Sequence, residues 1–571
     1  MRNRNYIFRM GTISCGVFAL MLGVSVFGQA PPAPAPPKEQ SPGASSTLRV
    51  TTRVVQVSVI AQDGEGHPVT GLTQDDFKIL DNGVEQKIIS FARQSSRLTV
   101  DVTPGARPVS TNAFSNRVDE TTGVPPSVTV ILLDAMNTGF QNMASARGEV
   151  VKFLRTLHPE DRVALYELTT KIIVLHDFTS DTATLLRALS DSPNPQSGAP
   201  EATPQITAAT EATLMAGGKG SLPAPDPGWL TSMLQREAVF DQKNKVEVTT
   251  DAFMQIAQHL SRLPGRKNLV WVSGSFPINI DWSPGKESPS FIPQITEAAH
   301  AMSDANVAIY PLDARGLVAP SMAQPGVLFS TRRPGAPPAS TLDTMQALAK
   351  GTGGVAYYNT NDIGGAIRRA IDDSSLTYEL TYYPTNEKWD SRFREIKVEV
   401  KRPGVHLRYR NGYFATPAVP STPESEARLM NAAIHDPLEA TQLGLNVRIN
   451  AVGAPGPKQV NVEVRVDPDH MHFDLDAGKW KDNVEIALVE LDDQGNDVGH
   501  TAKTLTLNYP DEQHNQILRK GLVFKSTIQL VDSCVELRLV ARDGGTGAIG
   551  SVNIPLTRIF AKPGTAAAPN P

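Results

Sequence analysis

A nearly continuous apolar run, Val128-Thr129-Val130-Ile131-Leu132-Leu133, ends in the carboxylate Asp134 and places the strongest constraint on the fold. Such a run suits a strand buried on both faces, as in parallel sheets covered by helices. The following sequence keeps the alternation that such a sheet needs. Met143, Val150, Leu154 and Leu157 fall at helical spacing, and His158-Pro159 closes that helix before Arg162 to Leu168 begins another strand. Leu185, Leu186 and Leu189 mark a second helix, and Val248, Ala252, Ile256, Leu260 and Leu263 a third, stopped by Pro264-Gly265. Asn268 to Val272 and Val307 to Asp313 are further buried strands, with a helix near Pro293 to Ala305 between them. A helix from about Leu342 ends at Gly351 as a left-handed cap, and a short strand and a helix with Ile363, Ile367, Ala370 and Ile371 follow. Parallel strands need crossover connections, so residues 127–376 are expected to form a Rossmann-like α/β domain with a mostly parallel sheet. Residues 191–228, rich in Pro, Ala, Gly and Thr, interrupt the pattern and read as a surface insertion.

The flanks have a different period. Val55, Val57 and Val59 alternate with polar residues, and Asp81-Asn82-Gly83 separates two apolar runs as a hairpin turn would. A small β domain is expected over 47–94, followed by a linker at 95–126. Tyr378 to Tyr383, Arg394 to Val400 and Leu407 to Arg410 predict a β extension over 377–416. Leu445 to Ile449, Val460 to Val466, Val484 to Leu491, Leu522 to Leu530 and Val535 to Val540 predict a β-sandwich-like domain over 421–562. All-β sandwich-like domains thus flank the α/β centre, and a disordered tail is expected at 563–571.

The first residues read as a secretory signal peptide over 1–28. Arg2, Arg4 and Arg9 precede an apolar stretch from Met10 to Phe27, with small residues around Gly28. Ala30 to Pro37 open a Pro/Ala-rich linker over 29–46. Signal removal leaves Cys534 as the single cysteine, so no internal disulfide is available. A net charge of −5 provides no basic field, and nucleic acid is not an expected partner. No membrane insertion is expected after signal cleavage.

The motif Ile131-Leu132-Leu133-Asp134-Ala135-Met136-Asn137-Thr138, with the helix end Leu348 to Gly354, resembles the von Willebrand factor A fold. Val69 to Phe77, Asp81-Asn82-Gly83, Tyr382-Tyr383-Pro384 and Asn411 to Phe414 extend the resemblance to bacterial exported proteins related to that family. The resemblance implies a metal-ion-dependent adhesion site, in which Asp-x-Ser-x-Ser, a Thr and a further Asp hold Mg²⁺ through oxygen ligands. Here Asp134 matches the first Asp, Thr138 the last Ser and Thr179 the Thr, whereas Met136 and Gly274 depart from the pattern. The expected metal set is therefore partial: Asp134, Thr138 and Thr179, with Mg²⁺ weakly held. The alternative gives Asp134 a structural role, bonding loop amides at its strand end. Asn137, Ser273 and Ser275 are the remaining candidates at the ligand-binding edge, since ligands on open α/β sheets bind at the carboxyl ends of strands.

The chain contains no His-Glu-x-x-His, phosphate-loop or Gly-x-Ser-x-Gly motif. The expected function is non-enzymatic protein binding or adhesion, with an unknown protein partner. A scaffold acting through its β-domains in an envelope assembly is the alternative. The acidic and histidine cluster at Asp467, Asp469, His470, His472, Asp474 and Asp476 is expected to be a solvated rim.

Overall fold

The computed structural model describes residues 54–95, 112–117, 127–192, 227–263, 265–274, 292–316, 341–390, 392–415, 423–452 and 458–560. The expected signal segment, the first linker, most of the insertion, Ser275 and the tail lie outside the described residues.

Strands β6 (Val128–Asp134), β7 (Val163–Leu168), β8 (Ile172–Thr179), β9 (Lys267–Ser273) and β10 (Val307–Asp313) form one sheet in the order β10-β9-β6-β7-β8. Four strands are parallel, and β8 returns antiparallel along β7. Every residue of β6, β7, β9 and β10 is buried, which is why the apolar runs carry no alternation. Helices α1 (Phe140–Leu154), α2 (Thr182–Asp191) and α6 (Ile363–Asp372) cover one face. The other face packs under α3 (Pro227–Leu260), α4 (Ile292–Asp304) and α5 (Thr341–Thr352). Helix α3 begins at Pro227, far earlier than the apolar spacing from Val248 predicts. The left-handed residue after α5 is Gly353, at φ 79°, rather than Gly351, which remains inside the helix.

The β modules at 47–94 and 377–416 are one domain, not two. Strands β1 (Val55–Gln62), β2 (Phe77–Asp81), β3 (Val84–Gln86) and β4 (Ile88–Ser95) combine with β11 (Leu376–Tyr382), β12 (Phe393–Val400), β13 (His406–Arg408) and β14 (Gly412–Phe414). Their sheets run β13-β1-β11-β4 and β14-β12-β2-β3. Four short strands cannot close a core alone, so each half completes its sheet with the other. The Tyr382 hydroxyl donates to Asp81, 301 positions away, inside that shared core. Asn82 and Gly83 take positive φ at the β2–β3 turn, as the Asn-Gly pair predicts.

The 95–126 linker is also corrected in part. Its β5 (Ala113–Ser115) adds an edge strand to β15 (Leu445–Ala451) of the C-terminal sandwich. Buried Asn116 fixes the register, donating to the Ala440 and Leu443 carbonyls and accepting from the Leu445 amide. Beyond α7 (Pro423–His435), β15 pairs with β16 (Gln459–Val466), and β16 with β20 (Leu522–Gln529). The facing sheet contains β17 (Asp474–Asp476), β18 (Lys479–Leu491), β21 (Glu536–Asp543) and β22 (Ile549–Pro555), with β19 (Asp497–Tyr509) paired to β18 and α8 (Asp511–Lys520) following it. Cys534 is buried beside this core and is the free cysteine of the described residues.

Candidate functional site

Asp134 is the last residue of β6 and is fully buried at the carboxyl edge of the sheet. Its Oδ1 accepts the Asn137 amide at 3.0 Å, and its Oδ2 accepts Asn137 Nδ2 at 2.8 Å, Trp271 Nε1 at 2.9 Å and Ser273 Oγ at 2.9 Å. Four donors therefore converge on one carboxyl group. Burial raises its pKa, and the Asn137, Ser273 and Trp271 hydrogen bonds pull the other way without overcoming burial.

The donors are themselves fixed. Trp271 lies in β9 with its ring edge-on to Phe253 of α3 at 5.2 Å, which orients the indole N–H toward Asp134. Asn137 Nδ2 also donates to Thr249 Oγ1 at 2.9 Å, and Thr249 donates back to the Lys245 carbonyl at 2.8 Å. Thr138 Oγ1 accepts the Gly274 amide at 2.7 Å, closing the loop after β6 onto the end of β9.

The expected metal residues do not assemble. Thr179 pairs with Val163 at the beginning of β7, whereas Asp134 pairs with Leu168 at its end. Five strand residues separate those levels, about 16 Å along the sheet. The reason is the antiparallel direction of β8, which returns its final residue to the opposite edge. Thr179 there accepts the Asp181 amide. Asn137 and Ser273 do stand at the Asp134 edge, as Asp134 donors rather than as open ligand groups. Ser275 lies outside the described residues.

A magnesium centre does not fit the residues present. Both Asp134 oxygens accept protein donors, the Thr138 hydroxyl accepts an amide, and Met136 supplies no oxygen. A Cβ at Gly274 would come within 3.1 Å of the Asn137 carbonyl and 3.2 Å of Thr138 Cα, so an acid there would have to push back main-chain atoms by a few tenths of an ångström. The nearby Asp313 is engaged by Arg315 in a two-point pair at 2.9 and 2.8 Å. Among the described residues, no three acidic, histidine or cysteine side chains converge as a metal site. The rim cluster is dispersed: Asp467 binds Arg117, Asp476 binds Lys481, and His472 stands 3.4 Å from Asp474.

Sequence reasoning missed Trp271 and Thr249. The tryptophan carried a usable signal, since Leu269, Trp271 and Ser273 share one face of a buried strand and a buried indole needs an acceptor. Apolar and aromatic side chains also stand near this end of the sheet. Met136 is half-buried, Phe140 is 46% exposed at the start of α1, and Tyr358 is 43% exposed beyond the residue that bridges to β10.

No protein-family model and no curated protein matches the chain. Among solved structures, it is similar to an aerotolerance-related membrane protein from Bacteroides fragilis, at 15% identity and a TM-score of 0.23 over 43% of this chain and 98% of that one. BatB from Bacteroides thetaiotaomicron shows 13% identity and a TM-score of 0.22 over 44% of this chain and 98% of that one. The von Willebrand factor A domain of SpRpn10 shows 13% identity and a TM-score of 0.20 over 43% of this chain and 96% of that one. The central sheet has the mostly parallel arrangement expected from the sequence, in the order β10-β9-β6-β7-β8.

Proposed function

We propose that the chain is an exported, non-enzymatic protein-binding protein that recognises its partner at the carboxyl edge of the central sheet without a metal ion. The saturation of Asp134 by four donors carries this reading. A metal-dependent adhesion site needs carboxylate lone pairs open to the cation, and here they hold the loop instead. Recognition then falls to the surface that the loop presents. Phe140, four residues after the half-buried Met136, offers an aromatic anchor of the kind enriched in protein interfaces. Among the described residues, no helix is long and apolar enough to cross a membrane.

The test places a photo-crosslinking amino acid at position 140 in the producing cell, with position 160 at the opposite edge as control. A discrete product from position 140, retained in EDTA, is the expected result. Once that partner is purified, Phe140→Ser should weaken its binding about tenfold. Crosslinking that requires Mg²⁺, or that arises equally from position 160, would overturn the proposal.

A further inference from the structure

The edge of the central sheet opposite Asp134 carries charge of the other sign. Arg266, the residue before β9, is 2% exposed. Its Nη2 donates to the Gly353 carbonyl at 2.6 Å and to the Tyr310 hydroxyl at 3.3 Å. Arg410, between β13 and β14, reaches the same place from the β domain. Its Nη1 donates to Ser303 Oγ at 2.6 Å and to the Ser303 carbonyl at 3.2 Å, and its Nη2 donates to the Gln56 carbonyl at 2.8 Å. All of these acceptors are neutral. Arg266 Nε and Arg410 Nε are buried and find no acceptor among the described residues.

The two arginines line one small polar cavity between the domains, with Ser58, Ser303, Asn306 and Thr352 around them. Its volume of about 10 Å³ is room for a single particle the size of a water. Gly353, at positive φ after α5, lets the arginines approach each other. A Cβ there would stand 2.8 Å from the Arg410 amide nitrogen and 3.4 Å from Arg266 Nη1. The buried acids nearby are engaged by other donors: Asp373 pairs with Arg408, and Glu379 accepts from Gln56, Ser58 and Asn306. Lys267, also buried, adds a further cation beside Arg266 and feels the charge of Glu379. Arg266, Lys267, Arg408 and Arg410 thus outnumber Asp373 and Glu379. The exposed Asp304 attracts Arg410, yet burial still pushes its guanidinium below the ordinary value. Buried positive charge without a counter-charge is costly, and the cavity is where one can enter.

We propose that this cavity binds a chloride ion between Arg266 Nε and Arg410 Nε, and that the ion clamps the β domain to the amino edge of the central sheet. Charge-assisted hydrogen bonds from two guanidiniums suit an anion. The Ser303 hydroxyl accepts from Arg410 and therefore keeps its own proton to donate as a third ligand. A water would accept the same N–H groups but leave both charges unbalanced. Size selects among anions: chloride is only slightly wider than water, whereas sulfate, phosphate and carboxylates need several times the room.

The experiment compares thermal unfolding of the full chain in sodium chloride and in sodium gluconate at equal ionic strength, and measures the excess width of the chloride NMR signal in the same protein. A saturable rise of about 3 °C in chloride, with broadening that bromide displaces, is expected. Arg410→Gln should abolish both effects, and Lys397→Gln, exposed on β12, should preserve them. If Arg410→Gln fails to fold, the parent's chloride signal and the position of bromide in a soaked crystal still decide. Equal midpoints in the two salts without broadening would establish water in the cavity and overturn the site. A chloride response retained in Arg410→Gln, or bromide found only away from the two arginines, would overturn it as well.

Discussion

The carboxyl edge of the central sheet and the end of the C-terminal sandwich both bury aspartate, yet they resolve its charge in opposite ways. Asp134 receives four donors and has no acidic neighbour among its contacts. At the end of the C-terminal sandwich, buried Asp482 and Asp543 face each other and share a hydrogen bond, and burial together with that neighbour pushes the Asp482 carboxyl well above the ordinary carboxylate range. A buried carboxylate is therefore not in itself evidence of a metal site. What decides is whether lone pairs remain open after the protein's own donors have been counted. By that criterion, the acid in the motif position is structural, and the pair outside any motif is held by a hydrogen bond between its own two members.

The largest effect should come from Asp134→Ala. It removes the acceptor shared by Trp271, Ser273 and Asn137 and leaves buried donors unsatisfied, at a cost of about 3–5 kcal/mol. Urea unfolding should show the loss equally in EDTA and in millimolar Mg²⁺. A Mg²⁺-dependent difference between parent and variant would break the contrast, because Asp134 would then have lone pairs open to a cation.

Gly274→Asp sharpens the same contrast with a smaller effect. If the site lacked only its third-loop acid, the substitution should create Mg²⁺ affinity. The structure predicts destabilisation by about 1–3 kcal/mol instead, since the new Cβ meets main-chain atoms of Asn137 and Thr138 that are tied to β9. Melting with and without Mg²⁺ separates the two outcomes.

Local pattern announced the central strands because each is buried along its whole length, and Asp134 could be placed at a strand end for the same reason. It did not announce direction. Nothing in Ile172 to Thr179 distinguishes a strand that returns from one that crosses over, and the misplacement of Thr179 follows from that alone. Pairing across long separations was equally invisible. β1 alternates as an edge strand would, yet β11 pairs along one side and β13 along the other, and both come from the far side of the α/β domain. The Asn137–Thr249 contact depends on where a long helix packs, which no local motif encodes.

The junction between the central and C-terminal domains supplies an intermediate case, in which buried acids face a basic group, and it carries the smallest predicted effect. His259 of α3 is buried, with Nδ1 2.7 Å from the Glu439 carbonyl and Nε2 3.8 Å from Asp177 Oδ1. Tyr166 of β7 also donates to Asp177, and Asp436, Glu439 and Arg538 complete the charged surroundings. Burial alone would lower the histidine pKa, but Asp177 and Glu439 raise it to about 9. Its folded pKa thus exceeds the unfolded value of 6.5, so its stabilisation is complete below about pH 6.5 and is lost as pH rises toward 9. Burial also raises Glu439 to about 7 and Asp436 to about 6, which gives the same sign over lower windows. Burial would raise Asp177, but the His259 hydrogen bond and charge outweigh it and hold the carboxyl below its ordinary value, so its contribution is lost only in acid, as pH falls below the ordinary aspartate range. Because the Asp177 side chain is 57% exposed, solvent screens the pair and the histidine effect should be held to about 1 kcal/mol. His259→Asn keeps a donor for the Glu439 carbonyl and removes the charge. Unfolding midpoints measured between pH 6.5 and 9 should decline in the parent and stay nearly level in the variant. An equal decline in both would place the titration elsewhere, and compensation by a cation would then lose its example at this junction.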